Sequence, residues 1–150
     1  KWAVLSFLAG AAALVAPFEA QARHLPAKPP VVVELYTAQG CASCGKANAL
    51  VAGLADRPGV VALTWSVDYW DYLGWKDTFA QPEFADRQRA FDKHFGLRDV
   101  YTPQVIVDGA SQASGAKPDA VEQLIHDAKR APGRQRQLRG EPGLAMGDSR

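Results

Sequence analysis

The sequence predicts an α/β fold in which a β-α-β unit, a long insert with a helix, a β-hairpin and a last helix follow one another. Two apolar runs, residues 31–37 and 60–65, flank a stretch of helical periodicity. That spacing is typical of a right-handed unit with parallel strands. Asp108-Gly109 then separates two short strand-like segments, which is the pattern of a type I′ hairpin.

Each element has a local signal. The first apolar run is typical of a strand that is covered on both faces. The first helix is predicted from about Cys41 to Asp56, because its apolar residues recur at helical spacing. Pro82 marks the first turn of the second helix, and Gly96 is placed to cap its end. The last helix begins near Pro118.

The first 22 residues are typical of a secretory signal peptide. They begin with Lys1, stay apolar to Phe18 and end in the small-x-small pattern Ala20-Gln21-Ala22. A membrane anchor is the alternative, but the apolar run is short for a span of about 20 residues and contains a glycine and a proline. We therefore predict an exported protein with no stable membrane insertion after signal cleavage.

The remainder of the chain is long enough for one domain with its own core. Net charge is −3 over residues 23–128 and +4 over residues 129–150. A short basic tail is able to bind nucleic acid in general, but in an exported protein we expect no nucleic-acid partner. The predicted organisation is a signal peptide at 1–22, an extended lead-in at 23–30, a single domain at 31–130 and a flexible basic tail at 131–150.

The only two cysteines, Cys41 and Cys44, lie between the first strand and the first helix. A helix N-terminus points backbone N–H groups at the first sulfur and favours its thiolate. The second thiol follows one turn later, close enough to close a small disulfide that reopens readily. This arrangement predicts a redox dithiol in which Cys41 is the nucleophile and Cys44 resolves the mixed disulfide.

Two other uses of a cysteine pair stay open. A C-x-x-C zinc half-site needs two more ligands, and the three histidines do not form an H-x-x-x-H pair. A structural disulfide between residues three apart closes almost no loop and so stabilises little. An exported chain that relied on disulfides for its fold would normally contain several pairs. We predict no bound metal and no cofactor.

The order of elements, with C-x-x-C after the first strand and Thr102-Pro103 directly before the third, resembles the thioredoxin superfamily. The resemblance implies a thioredoxin-like β-α-β…β-β-α domain with an aromatic-rich insert. It also implies that Pro103 is cis and faces the dithiol, and that Thr102 offers backbone groups to an extended substrate peptide. An ordinary trans proline that opens an edge strand is the alternative.

Three separated motifs, residues 34–44, 67–77 and 101–104, are similar to a family of exported bacterial thioredoxin-like proteins catalogued as a domain of unknown function. This resemblance implies the fold and export in a bacterium, so that the protein is expected to be periplasmic or secreted. The chain has Gly45-Lys46 where members often have proline after the second cysteine, and the lysine adds a positive charge that favours a nearby thiolate. Members also commonly continue into a further β-rich segment, which we expect to be missing or truncated in this chain.

Glu34 interrupts the apolar first strand seven residues before Cys41. One interpretation is a buried acid behind the dithiol that carries a proton to or from Cys44. The other is a glutamate at the strand end that reaches solvent or pairs with Lys46 or Lys76.

The segment from Trp65 to Phe95 contains nine of the 14 aromatic residues. Tyr69, Trp70 and Trp75 are the candidates for a lid or groove beside the dithiol that recognises a substrate peptide. The alternative is an aromatic satellite core that packs the insert onto the sheet, and helical spacing favours this for the phenylalanines. The aspartates of the insert lack the spacing of a calcium-binding loop.

Together these features predict an exported thiol–disulfide oxidoreductase that uses the Cys-Ala-Ser-Cys dithiol on protein or small-molecule thiols and disulfides. Two alternatives keep the fold. In one, the dithiol carries a soft metal such as copper or zinc. In the other, the domain is redox-inert and the insert binds a partner.

Overall fold

The computed structural model describes residues 29–131 of the 150-residue chain. The predicted signal peptide, most of the lead-in and nearly all of the basic tail lie outside the described residues. The strands are β1 (Val31–Thr37), β2 (Val60–Ser66), β3 (Gln104–Val107) and β4 (Ser111–Ser114). The helices are α1 (Cys44–Ala55), α2 (Pro82–Phe95) and α3 (Pro118–Arg130), with a short 3₁₀ helix at Asp71–Leu73. None of the helices in this part of the chain is long and apolar enough to cross a membrane.

The four strands form one sheet in the order β2-β1-β3-β4. β1 and β2 are parallel, with Val31 opposite Val60, whereas β3 is antiparallel to β1 and β4 is antiparallel to β3. A crossover through α1 joins the parallel pair, as parallel neighbours require. The structure therefore confirms the predicted thioredoxin-like α/β fold.

Alternate residues of β1 point to opposite faces of the sheet. Val31, Val33 and Leu35 pack in one apolar cluster with residues of α1 and α3, and all three are fully buried. Burying an aliphatic side chain of this size contributes about 1.5–3 kcal/mol. Glu34 and Tyr36 lie on the other face, toward α2.

The first helix begins later than the sequence predicts. α1 starts at Cys44 rather than near Cys41, with Ser43 at its N-cap. The backbone forms two turns first: the Cys41 N–H donates to the Ala38 carbonyl (3.2 Å), and the Cys44 N–H donates to the Cys41 carbonyl (3.0 Å). Cys41 thus lies in a loop ahead of the first helical turn, and only Cys44 is part of the helix.

The turns and caps follow the sequence prediction. Asp108 and Gly109 have φ values of 52° and 67°, the positive values that a type I′ turn needs at both central positions. α2 begins at Pro82 and ends at Phe95, and it is capped by Gly96, which adopts a left-handed conformation with φ of 70°. Each of these features is decided by residues that are neighbours in the chain, so the sequence alone was enough to find them.

Candidate active site

Cys41 and Cys44 form a disulfide at the start of α1, with their Cα atoms 5.4 Å apart. Cys41 is 5% exposed and Cys44 is 1% exposed, so Cys41 is the more exposed of the two, as predicted, although both are buried in the disulfide. Ala42 and Ser43 between them are exposed, and the Ser43 hydroxyl lies 3.6 Å from the Cys41 sulfur. No group of three His, Cys, Asp or Glu side chains that could hold a metal occurs within residues 29–131.

The Thr102–Pro103 peptide bond is cis, as predicted. Gly115, which follows β4, packs closely against both the cis proline and the first turns of α1. A Cβ added to Gly115 would lie 2.9 Å from the Cβ of Ala47 and 3.1 Å from the Cβ of Pro103. Since Ala47 lies about one turn after Cys44, Pro103 and the dithiol lie at the same end of the sheet.

Trp70 connects the loop before the dithiol to the residue before the cis proline. Its indole N–H donates a hydrogen bond to the Thr102 hydroxyl (2.8 Å). On its other side, a Cβ added to Gly40 would lie 3.3 Å from the Cβ of Trp70 and 3.5 Å from its carbonyl oxygen. Gly40 directly precedes Cys41, so this half-buried tryptophan lies between the two loops of the site.

A fully buried glutamine of α2, which the sequence did not single out, holds the cis-proline loop. The Gln88 amide nitrogen donates to the Tyr101 carbonyl (2.8 Å) and to the Gln104 side-chain carbonyl (2.7 Å). These two acceptors lie on the two sides of the cis peptide bond. The Gln88 side chain therefore fixes the loop at both of its ends.

Tyr69, one of the predicted substrate-binding residues, supports Gln88. Its hydroxyl donates to the Gln88 side-chain carbonyl (3.0 Å), and burial raises the pKa of Tyr69 to about 12, so it stays a neutral donor. Gln88 lies four residues after Phe84 and three before Phe91, which places it on the apolar stripe of α2. A polar residue on such a stripe was the available signal for a buried hydrogen bond.

Asp92 extends this polar network by one turn of α2. Its Oδ1 accepts a hydrogen bond from the Gln104 amide (2.6 Å). Its Oδ2 is buried and has no hydrogen-bond partner among the described residues. Burial raises the pKa of Asp92 above its ordinary value, although the hydrogen bond from Gln104 acts in the opposite direction. Ionising this carboxyl group therefore costs free energy in the folded state.

Glu34 is buried, at 3% exposure, and is paired with a residue that neither interpretation named. Arg87 donates from Nε to Oε2 (2.8 Å) and from a terminal nitrogen to Oε1 (2.9 Å). The Trp65 indole N–H also donates to Oε2 (2.8 Å). The interpretation of Glu34 as a strand-end glutamate that reaches solvent, or that pairs with Lys46 or Lys76, is therefore wrong, because Glu34 is buried and pairs with Arg87 of α2.

Tyr36 links Glu34 to the apolar surroundings of the dithiol. Its hydroxyl donates to Glu34 (3.4 Å), and its fully buried side chain belongs to the cluster that contains both cysteines. Burial and the nearby Glu34 charge raise the pKa of Tyr36 well above its ordinary value. Within residues 29–131 the hydrogen bonds of Glu34 go to Tyr36, Trp65 and Arg87, so proton transfer to Cys44 stays a prediction.

Asp77 anchors the insert to the loop before the dithiol. This buried carboxylate accepts the backbone N–H of Gln39 (3.1 Å) and that of Phe79 (2.9 Å). The Trp75 indole N–H donates to the Gln39 side-chain carbonyl (2.8 Å), although Trp75 is 65% exposed. Of the three predicted substrate-binding residues, Trp75 is therefore the one that is open to solvent.

The phenylalanines of α2 pack onto the sheet face, as the satellite-core interpretation predicts. The ring of Phe84 lies 4.9 Å from that of Trp65, and the rings of Phe91 and Phe95 are stacked with centroids 6.2 Å apart. Phe91 and Phe95 pack against the cluster that contains both cysteines. Phe91 and Phe95 therefore pack against the buried side of the site.

Residues 32–142 match the profile of a family described as protein of unknown function (DUF1223). The chain belongs to the DUF1223 family. The family resemblance seen in the sequence is thereby confirmed, and the match extends beyond the last described residue.

Solved structures similar to this DUF1223 chain include that of a protein from Agrobacterium tumefaciens. It is 38% identical with a TM-score of 0.64, and the match covers 69% of this chain and 47% of that one. The DUF1223 chain thus spans about half the length of that relative. Thioredoxin (Mala s 13) from Malassezia sympodialis is 18% identical with a TM-score of 0.41, over 65% of this chain and 75% of that one. No curated protein matches.

Proposed function

We propose that this DUF1223 protein is an exported thiol–disulfide oxidoreductase whose reacting pair is Cys41 and Cys44. The observation that carries the proposal is the placement of their disulfide at the start of α1, at the end of the sheet where the Thr102–Pro103 loop lies. Two contacts support that placement: a glycine packed between α1 and the cis proline, and Trp70 between the two loops.

The pair exchanges disulfides with a substrate dithiol in two steps. A substrate thiolate attacks the Cys41 sulfur, the Cys41–Cys44 bond breaks, and Cys44 leaves as a thiolate. A second substrate thiolate attacks the substrate sulfur of the mixed disulfide and releases Cys41 as a thiolate. Two electrons pass from the substrate dithiol to the cysteine pair, and the substrate becomes a disulfide. Reduction of a substrate disulfide follows the same steps in reverse.

The start of α1 favours thiolates at this position. Its first turn contains no acidic residue, and Lys46 adds a positive charge there. The unpaired backbone N–H groups of a helix N-terminus act in the same direction. The Ser43 hydroxyl, 3.6 Å from the Cys41 sulfur, is placed to donate to a thiolate. A stabilised thiolate is a better leaving group in exchange.

The substrates we propose are protein or small-molecule thiols and disulfides in the periplasm or outside the cell. Export is supported by the composition of residues 1–22. An oxidising compartment supplies disulfides with which a single exchangeable pair is able to react.

Equilibration in glutathione redox buffers tests the proposal, with alkylation of free thiols and intact mass as the readout. We expect a reversible two-electron titration of the Cys41–Cys44 pair. Cys41→Ser should abolish exchange because it removes the sulfur that forms the mixed disulfide with the substrate. Cys44→Ser should instead accumulate mixed disulfides on Cys41, because the resolving thiol is missing.

Two results would overturn the proposal. One is a pair that stays oxidised at every ratio of reduced to oxidised glutathione. The other is a pair that becomes oxidised only after a bound metal has been removed, and that result would favour the soft-metal carrier. Partner binding that survives replacement of both cysteines, with no redox titration, would favour the redox-inert domain.

A further inference from the structure

Within residues 29–131, four of the five exposed large hydrophobic side chains lie within eight consecutive residues of the insert. We call them the apolar platform: Tyr72 (78% exposed), Leu73 (56%), Trp75 (65%) and Phe79 (71%). The fifth is Val61, near the start of β2 and away from the end of the sheet that leads to the dithiol. Exposed apolar groups that cluster in this way mark interaction sites, whereas single ones such as Val61 are ordinary.

The apolar platform is attached to the loop before Cys41. Trp75 donates its indole N–H to the Gln39 side chain (2.8 Å). A Cδ atom of Leu73 lies 3.8 Å from the position of a Cβ added to Gly40. Gln39 and Gly40 are the two residues before Cys41, so a molecule that rests on the platform is adjacent to the disulfide.

Hydrogen bonds hold the backbone of the apolar platform in place. The buried Asp77 carboxylate accepts the N–H groups of Gln39 and Phe79, and the Asp77 N–H donates to Oδ1 of Asp71 (3.2 Å). The Gly74 N–H donates to the Asp71 carbonyl (3.1 Å) at the end of the 3₁₀ helix, where Gly74 has φ of 94°. A surface that is ordered in advance loses less entropy on binding.

We propose that the apolar platform binds a segment of a polypeptide substrate, so that the preferred substrates are extended or unfolded chains with apolar side chains beside their cysteines. This inference rests on the proposed function. An extended chain advances roughly 3.3–3.6 Å per residue, so side chains a few residues from a sulfur bonded to Cys41 reach the platform. Because Asp77 is buried, Lys76 is the exposed charge of the segment from Tyr72 to Phe79, and apolar contact dominates recognition.

The test compares how fast the reduced protein reduces three disulfide probes. They are a peptide with leucine and phenylalanine beside its cysteines, the same peptide with serine at those positions, and oxidised glutathione. In each reaction the Cys41–Cys44 disulfide forms and the disulfide of the probe becomes two thiols. For the unaltered protein we expect kcat/KM for the apolar peptide to exceed that for the serine peptide by about tenfold or more.

The double variant Tyr72→Ser/Phe79→Ser removes two side chains of the platform. We expect its ratio of kcat/KM for the apolar peptide to kcat/KM for glutathione to fall about tenfold, because aromatic side chains dominate binding at such surfaces. The fall should come through KM. Val61→Ser is the matched control: it removes an exposed apolar side chain elsewhere on the surface and should keep the original ratio.

Three outcomes would overturn the inference. The first is an equal rate for the apolar and serine peptides, and the second is an unchanged ratio in the double variant. The third is self-association, seen by sedimentation, that the double variant abolishes, since this would place a second copy on the platform. Failure of the unaltered protein to reduce any of the three probes would instead overturn the proposed function, and this inference with it.

Discussion

Glu34 is a buried carboxylate, and such a group is stable in a protein interior only when it has a counterion or hydrogen-bond donors. An unpaired carboxylate removed from water costs several kcal/mol, so a buried one needs a counterion and hydrogen-bond donors. Arg87 and Trp65 supply both. The Arg87 guanidinium in turn lies over the rings of Trp65 and Phe91, at 5.8 Å and 5.1 Å from their centroids. The pair therefore helps to fix α2 on the sheet.

We expect Glu34→Gln to lower the free energy of unfolding by about 1–3 kcal/mol, because the amide leaves Arg87 without its counterion. Asp86→Asn is the matched control, since it removes the partner of Arg89 on the same helix. That pair is exposed, so its loss should cost less than about 0.5 kcal/mol. Urea unfolding measures both variants. Slower disulfide exchange at neutral pH with unchanged stability would contradict this and assign Glu34 to proton transfer.

At the scale of elements, Gly115 decides how closely α1 and the cis-proline loop approach. A Cβ at this position would meet the Cβ atoms of Ala47 and Pro103 and, at 3.4 Å, a methyl group of Val105. The Gly115 N–H also donates to the Pro103 carbonyl (2.9 Å). A Cβ atom is fixed to its own backbone, so these neighbours move only if α1 or the loop moves.

We expect Gly115→Ala to destabilise the protein by about 1–3 kcal/mol, the range for overpacking a close-packed site. It should also slow disulfide exchange, because it moves the cis-proline loop away from α1. Gly53→Ala, within α1 itself, is the control, because nothing lies within 4 Å of its added Cβ. That change should stabilise the helix by about 0.5–1 kcal/mol. Equal thermal stability of the two variants would contradict the close approach.

At the scale of the whole molecule, two carboxyl groups make stability depend on pH in opposite directions. Hydrogen bonds of 2.7 Å from Arg57 lower the pKa of Glu122 in α3. This pair stabilises the fold above the ordinary value of 4.5, and that contribution is lost as pH falls through the lowered pKa. The raised pKa of buried Asp92 has the opposite effect on stability. The folded state is favoured in acid, where this carboxyl group is protonated, and the advantage is lost as pH rises through the raised pKa.

We expect Glu122→Gln to lower stability at pH 7 by less than about 1 kcal/mol, because both side chains of the pair are partly exposed. The difference from the unaltered protein should disappear as pH falls below 4.5 through the lowered pKa, and it should shrink in high salt. Denaturant unfolding at several pH values measures it. A difference that persists in acid would show that the pair does not act through its charges.

The sequence by itself determined the parts of this protein that depend on local signals. Periodicity predicted the strands and helices, and Pro82, Gly96 and Asp108-Gly109 predicted caps and a turn. Even here the predicted start of α1 was three residues too early, because backbone turns at Cys41 precede the helix. The cysteine pair was found because its spacing is a property of neighbouring residues.

Only the tertiary structure decided which distant residues meet. Arg87 pairs with Glu34, which lies 53 residues away in the chain, and Gln88 holds both ends of the cis-proline loop, 13 and 16 residues away. The tertiary structure also showed that the two tryptophans differ: Trp70 is packed between two loops, whereas Trp75 is exposed. The physical reason is that burial and pairing depend on which faces pack together after folding, and one sequence pattern is compatible with several such packings.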